Sequence, residues 1–172
     1  MPDDTPVVVL IGPPASGKTK IGKRVAALLG LDHVDTDALV VGAWGSIPEI
    51  FRSHGEEHFR TLERHAVVDA LARSAVVSLG GGAVTHPDTR RDLTRHPVVL
   101  LRITPEAVST RLDNDKRPLL TDGLASWEKL VSSRMPLYEE VATWSVDVSH
   151  RSTEEVAQEI VSWVEHRGAG ND

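Results

Sequence analysis

Cysteine is absent from the 172 residues, so no disulfide staples the fold and no thiolate serves as nucleophile or metal ligand. Phe, Tyr and Trp make up only 4% of the chain. With an acidic overall charge, Trp44, Trp127, Trp144 and Trp163 read as packing residues rather than a platform for stacked bases. No apolar run approaches the roughly 18 residues that a membrane span needs. The opening "MPDDTPVVVL" is acidic and has no cleavable-signal pattern. Positive charge is in deficit: 19 Lys and Arg against 25 Asp and Glu leave a net charge of −6. That argues against a general nucleic-acid binder, while leaving room for a local basic pocket. The eight histidines are scattered and form no convincing metal-ligand set. A cytoplasmic protein with no nucleic-acid and no membrane partner is expected.

The patterning that is present is that of an α/β domain. "VVVLIG" (7–12), "AVVSLGGG" (75–82) and "PVVLLRI" (97–103) are apolar runs of the length of buried parallel strands. "HVDTD" (33–37) and "WSVDVS" (144–149) read as shorter strands. Between them lie helical patterns. Residues 18–30 carry Ile21, Val25, Leu28 and Leu29 at helical spacing with Gly30 as the stop. "SIPEIF" opens a helix with a Ser46–Glu49 capping box. Residues 56–73 put Phe59, Leu62, Ala66 and Ala70 on one face. Thr104-Pro105 caps another helix, 126–141 reads mostly as helix, and 152–166 is a capped C-terminal helix. Strands alternating with helices imply a parallel sheet covered on both faces, and one domain over 1–172.

One stretch carries specific chemistry. "GPPASGKT" (12–19) fits G-x-x-x-x-G-K-[ST], and it stands between a predicted buried strand and a predicted helix, as a phosphate-binding loop must. Its backbone N–H groups turn inward on phosphate oxygens, and the helix adds its positive dipole end. Gly12, Ala15, Ser16, Gly17, Lys18, Thr19 and Lys20 are the candidate nucleotide-binding residues. Lys18 reaches the β- and γ-phosphates, and the Thr19 hydroxyl is a candidate ligand of Mg²⁺. The prolines stiffen the front of the loop, where no donor is needed.

Three further stretches bear on what accepts the phosphate. "DTD" places Asp35 and Asp37 two apart, on one face of an extended strand end, where one carboxylate serves the magnesium shell and the other a hydroxyl. By itself it reads more readily as a solvated acidic turn. Arg60 and Glu63 stand at i, i+3 on a helix, the spacing of an ordinary surface ion pair. "LGGGA" (79–83) lets a ligand approach the backbone closely at the carboxyl end of a strand, or is simply a permissive loop.

Taken as a set, "GPPASGKT", "DTD", "FRSHGEEHFRTLE", "SLGGGAV", "RPLL" and "RMPLY" resemble the shikimate kinase family in order and approximate spacing, from Val7 to about Val148. The resemblance implies a three-layer αβα fold with a five-stranded parallel sheet, like nucleoside monophosphate kinases, a substrate-binding segment over 37–65 and a mobile lid over 112–124. It implies ATP-dependent phosphorylation of the 3-hydroxyl of shikimate, with Mg²⁺ as cofactor, and a monomer is expected. By the same resemblance Asp35 supports Mg²⁺ through water, Asp37 binds the shikimate hydroxyls and is the candidate base, and Arg60 and Arg134 hold the carboxylate. Gly81 and Gly82 give backbone contact, Arg117 is the lid arginine over the phosphates, and Arg111 packs near the adenine. The chain departs from the family pattern after "DTD", where "ALVVGAW" has no acid before Glu49, and at Lys20, where threonine is frequent. A gluconate or cyclitol kinase on the same fold, and a nucleotide-binding paralogue without catalysis, are the competing readings.

Overall fold

The computed structural model describes residues 4–115 and 123–169. At its centre is a five-stranded parallel sheet in the order β2-β3-β1-β4-β5. The strands are β1 (Val8–Ile11), β2 (Asp32–Asp35), β3 (Ala75–Ser78), β4 (Val98–Arg102) and β5 (Trp144–Asp147). Helices α1 (Lys18–Leu29), α2 (Thr36–Trp44), α3 (Ile47–Leu71), α4 (Pro87–Leu93), α5 (Pro105–Asp115), α6 (Leu124–Val141) and α7 (Thr153–Ala169) make up the rest, with a 3₁₀ turn at Ala83–Thr85.

The unbroken apolar runs follow from burial on both faces of this sheet. In β1, Val8 and Leu10 face one core with Val25 of α1, Val108 of α5 and Ile160 of α7. Val9 and Ile11 face the opposite core with Val67 of α3 and Tyr138 of α6. The period of two along a strand sends alternate side chains to opposite faces. With helices on both, neither parity can be polar. Val9 stands in register between Val77 of β3 and Val98 of β4, so β1 is the middle of the sheet. Burying each such side chain stabilises by about 1.5–3 kcal/mol. A third, smaller core joins Val40 of α2 to Ile50, Phe59, Leu62 and Ala66 of α3. β2, β3 and β1 are neighbours, so the segments that follow them share one end of the sheet, where open α/β folds place ligands.

Several expected boundaries move. The second strand stops at Asp35, and Thr36 and Asp37 already belong to α2. The two aspartates are therefore not on one face of an extended strand. Asp35 has extended backbone and caps the helix, its Oδ1 accepting from the Ala38 N–H at 3.0 Å, while Asp37 sits in the first turn. α2 escaped the periodicity argument because "ALVVGAW" is apolar all round. α4 escaped it because it is short and apolar mainly at Leu93. Ser46 is the N-cap of α3, but the expected capping box does not form, since its side chain makes no cap bond. α3 is interrupted at Gly55, whose φ of 85° separates the two helical stretches read from the sequence. Gly30 ends α1 in the left-handed region with its N–H on Ala26 and Ala27 carbonyls, as expected. On α1 the buried residues include Ile21 and Val25, whereas Leu28 is exposed. Thr104 and Ser152 cap α5 and α7 through their hydroxyls.

Candidate active site

The loop between β1 and α1 is held from behind by its carbonyls. Lys18 Nζ donates to the Gly12 and Pro13 oxygens at 2.7 and 3.0 Å. The buried Ser16 hydroxyl also donates to Pro13 O, at 2.7 Å. Trp127 Nε1 donates to Pro14 O at 2.8 Å, and Arg111 Nη1 to Ala15 O at 2.6 Å. In a trans peptide the C=O and the following N–H point opposite ways, so anchoring consecutive carbonyls orients the N–H groups of the loop. That of Ser16 is an exception to the expected inward set, closing a turn on Pro13 O at 3.3 Å. Gly17, at φ 85°, is the N-cap of α1 and supplies no side-chain cap. The first turn of α1 carries no acid. Its unpaired N–H groups and dipole thus present net positive charge. Trp127 does more than the packing its sequence context suggests. It is packed, at 2% exposure, and its indole N–H also braces this loop.

A cleft of about 740 Å³ opens in front of the loop, and Lys18, Thr19, Lys20, Asp35, Asp37 and Arg111 all line it. Burial pulls the half-buried Lys18 ammonium down from the 10.5 of a free lysine to about 8, against the opposing charges of Asp37 and Asp35. Two of its three donors are used on the loop, which leaves one for a ligand anion. Asp37 is pushed above the ordinary carboxylate range by burial and then by neighbouring Asp35, while Lys18 and Arg60 oppose the rise. Thr19 Oγ1 donates to Asp35 Oδ2. A hydroxyl and a carboxylate paired at the cleft mouth are hard oxygen donors. Mg²⁺ binds through one or two such groups when phosphates and water complete its shell, so these residues fit it.

Opposite the loop, the three glycines after β3 each back one functional side chain. A Cβ on Gly80 would collide with Asp37 Oδ1. A Cβ on Gly81 would stand 3.5 Å from Arg134 Nη1, and one on Gly82 only 2.5 Å from Arg60 Nη1. Thus "GGG" is a wall against which one carboxylate and two guanidiniums lie. The buried Thr36 hydroxyl accepts from the Gly80 N–H at 3.0 Å, and Tyr138 donates its hydroxyl to Gly81 O. Burial pushes the Tyr138 phenol up, with Arg134 working against the rise.

Arg60 and Glu63 do not form the surface pair that their spacing suggests. Glu63 is 3% exposed and accepts from Arg60 Nη1 at 2.7 Å. Burial raises its pKa and Arg60 opposes this. The guanidinium also lies 5.3 Å from the centre of the Phe59 ring. Glu63 is the site residue whose part was missed. The spacing showed the pair, but not that the helix turns it inward. Arg117 and residues 116–122 of the expected lid lie outside the described residues.

The description of the matching family model is shikimate kinase, and the match runs over residues 14–165. The chain belongs to the shikimate kinase family. A shikimate kinase of Corynebacterium efficiens is 42% identical over 164 residues, covering 93% of this chain and 97% of that protein. One of Mycobacterium marinum is 44% identical, with 91% and 88% covered. Among solved structures, shikimate kinase from Acinetobacter baumannii in complex with shikimate superposes with a TM-score of 0.86 at 32% identity, covering 95% of this chain and 94% of that one. The five-stranded parallel sheet and the phosphate-binding loop are thus those of a shikimate kinase fold.

Proposed function

We propose that this chain transfers the γ-phosphoryl group of ATP to the 3-hydroxyl of shikimate, giving shikimate 3-phosphate on the route to chorismate and aromatic amino acids. The observation that carries the acceptor reading is the wall of Gly80–Gly82, with Asp37, Arg134 and Arg60 laid against it. Two guanidiniums lying beside adjacent glycines suit a small carboxylate, which they hold with directional charge-assisted bonds. The carboxylate beside them suits a hydroxyl.

In this reading Arg60 and Arg134 clamp the carboxylate, with Arg60 held in place by buried Glu63. Gly81 and Gly82 let the ring approach the backbone. Asp37 accepts the proton of the attacking hydroxyl, and its raised pKa makes it a stronger base than an exposed carboxylate. The loop from Gly12 to Thr19 cradles the phosphates, with Lys18 as the point charge, Arg111 toward the adenine and Lys20 at the rim. Thr19 and Asp35 would hold Mg²⁺, which when bound neutralises phosphate charge. Arg117 in the lid segment 112–124 adds charge over the phosphates and helps exclude water. The same reading makes the chain a single kinase domain, cytoplasmic and monomeric.

Release of ADP measured with ATP and Mg²⁺ tests it. Shikimate should raise the rate far above the background, whereas gluconate and cyclitols should not. An equal or larger response to gluconate overturns the acceptor, and no response to any acceptor overturns catalysis.

A further inference from the structure

A polar chain runs behind the phosphate loop and is used by none of the steps above. His33 Nε2 lies 2.8 Å from Ser78 Oγ, and Ser78 Oγ lies 2.9 Å from the backbone oxygen of Lys18. A hydroxyl has one proton, and a carbonyl can only accept. Ser78 therefore donates to Lys18 O, and His33 must donate its Nε2–H to Ser78. The imidazole thus sets the direction of the serine proton.

The geometry around the pair is specific. Gly22, one turn along α1, is buried. A Cβ there would come within 2.5 Å of Ser78 Oγ and 2.6 Å of His33 Nε2. A bare patch of α1 thus receives the imidazole and the hydroxyl together. The chain also ends where the chemistry is. Lys18 opens α1 and is followed by Thr19, His33 is two residues before Asp35 on β2, and Ser78 is two before Gly80 on β3. One relay therefore ties the lysine and hydroxyl of the nucleotide arm to the two strands that carry the acidic residue and the glycine wall.

We infer that His33 is a positioning residue for the nucleotide: through Ser78 it fixes the first turn of α1, and with it the approach of Lys18 and Thr19 to a nucleoside triphosphate carrying a divalent cation. The inference rests on the kinase reading. It concerns the donor side alone, because neither His33 nor Ser78 faces Arg60 or Arg134 in any hydrogen bond among the described residues.

The test measures Kd and KM for ATP with Mg²⁺, and Kd for shikimate, in His33→Leu, His33→Gln, Ser78→Ala and the His33→Leu/Ser78→Ala double variant, each checked for folding by its thermal transition. His33→Leu and Ser78→Ala should each raise Kd and KM for ATP by about five- to tenfold, the scale of one buried hydrogen bond. Shikimate Kd should stay near that of the parent. The double variant should be no worse than the worse single, because both remove one relay. His33→Gln, which keeps an N–H donor, should recover most of the affinity. Unchanged ATP binding in the folded singles, additive effects in the double, or a parallel loss of shikimate affinity overturns the relay. If His33→Leu does not fold, Ser78→Ala with His33→Gln decides by the same readings. A parent that binds no ATP overturns the kinase reading itself, whereas a parent that binds ATP as tightly as its folded variants overturns only this inference.

Discussion

Lys18 is asked to remain charged in a place that disfavours charge. Burial lowers it to about 8 while Asp37 and Asp35 partly restore it. Phosphate oxygens must raise it again, so nucleotide binding above pH 8 is coupled to proton uptake. Kd for ATP should be nearly flat below pH 7, about double by pH 8 and then rise further, approaching about tenfold per pH unit. Titration calorimetry across pH 7 to 9.5 checks this, and a flat profile would refute it. Unfolding cannot imitate the effect through Lys18. Between about 8 and 10.5 the unfolded chain binds the extra proton, so the lysine's own contribution to stability rises with pH in that window. Ala15, three residues earlier, is a non-glycine residue at φ 70°. Left-handed backbone costs an L-residue about 1–2 kcal/mol. Glycine relieves that strain but loses about 0.5–1 kcal/mol through the entropy of the unfolded chain. Ala15→Gly should therefore leave stability unchanged or raise it by up to about 1 kcal/mol, a few degrees in Tm. Ala15 also packs its methyl against the core, so a clear fall in Tm would show that this contact outweighs the relief of strain.

Elements whose logic is local were legible in the sequence, and those whose logic is tertiary were not. The strand–loop–helix unit could be read from "VVVLIG" and "GPPASGKT" because glycine, lysine and threonine act there through adjacent backbone. The end of α1 was likewise announced by Gly30. α2 was not, because its exposed positions Ala38, Val41, Gly42, Ala43 and Trp44 are themselves apolar or small, so it lacks the polar stripe that gives a surface helix its period. The glycine wall lay between these cases. Three glycines after a strand suggested close approach, yet only the fold shows that the space beside Gly80 and Gly82 is taken by Asp37 and Arg60, residues 43 and 22 positions away, while Gly81 stands in ordinary contact with Pro14 and Arg134. Gly82 itself has φ −101°, which any residue adopts. Its glycine is demanded by space and not by backbone. Gly82→Ala should fold, displace the Arg60 guanidinium and weaken shikimate binding by about tenfold, the lower end for losing one charge-assisted bond. ATP affinity should not move. Equal shikimate Kd in parent and variant would mean that Arg60 does not need its seat on Gly82 to hold the carboxylate.

Across the whole molecule, stability and reactivity pull on the same carboxylate. The sheet and its two cores hold β1, β2 and β3 in register regardless of ligand, and that rigidity fixes Asp37 where burial and Asp35 both disfavour its ionised form. No side chain or backbone group among the described residues hydrogen-bonds to it. A carboxylate whose folded pKa lies above its unfolded value contributes stability below the unfolded pKa, and that contribution is lost as pH rises through the folded one. At neutral pH, then, ionised Asp37 is a net cost to the fold, even with Lys18 and Arg60 nearby. Asp37→Asn keeps the shape and removes the charge. It should raise the thermal midpoint at pH 7 and lower turnover by about 10²-fold or more, the worth of a general base. The gain in Tm should shrink as the pH falls toward 4, because the parent then protonates Asp37 on its own. Thermal melts of both proteins from pH 4 to 8, with ADP release measured at pH 7, separate the two effects. A variant that is less stable at pH 7 would mean that the attraction to Lys18 and Arg60 outweighs desolvation. A variant that turns over normally would leave Asp37 a neighbour of the reaction and not its base.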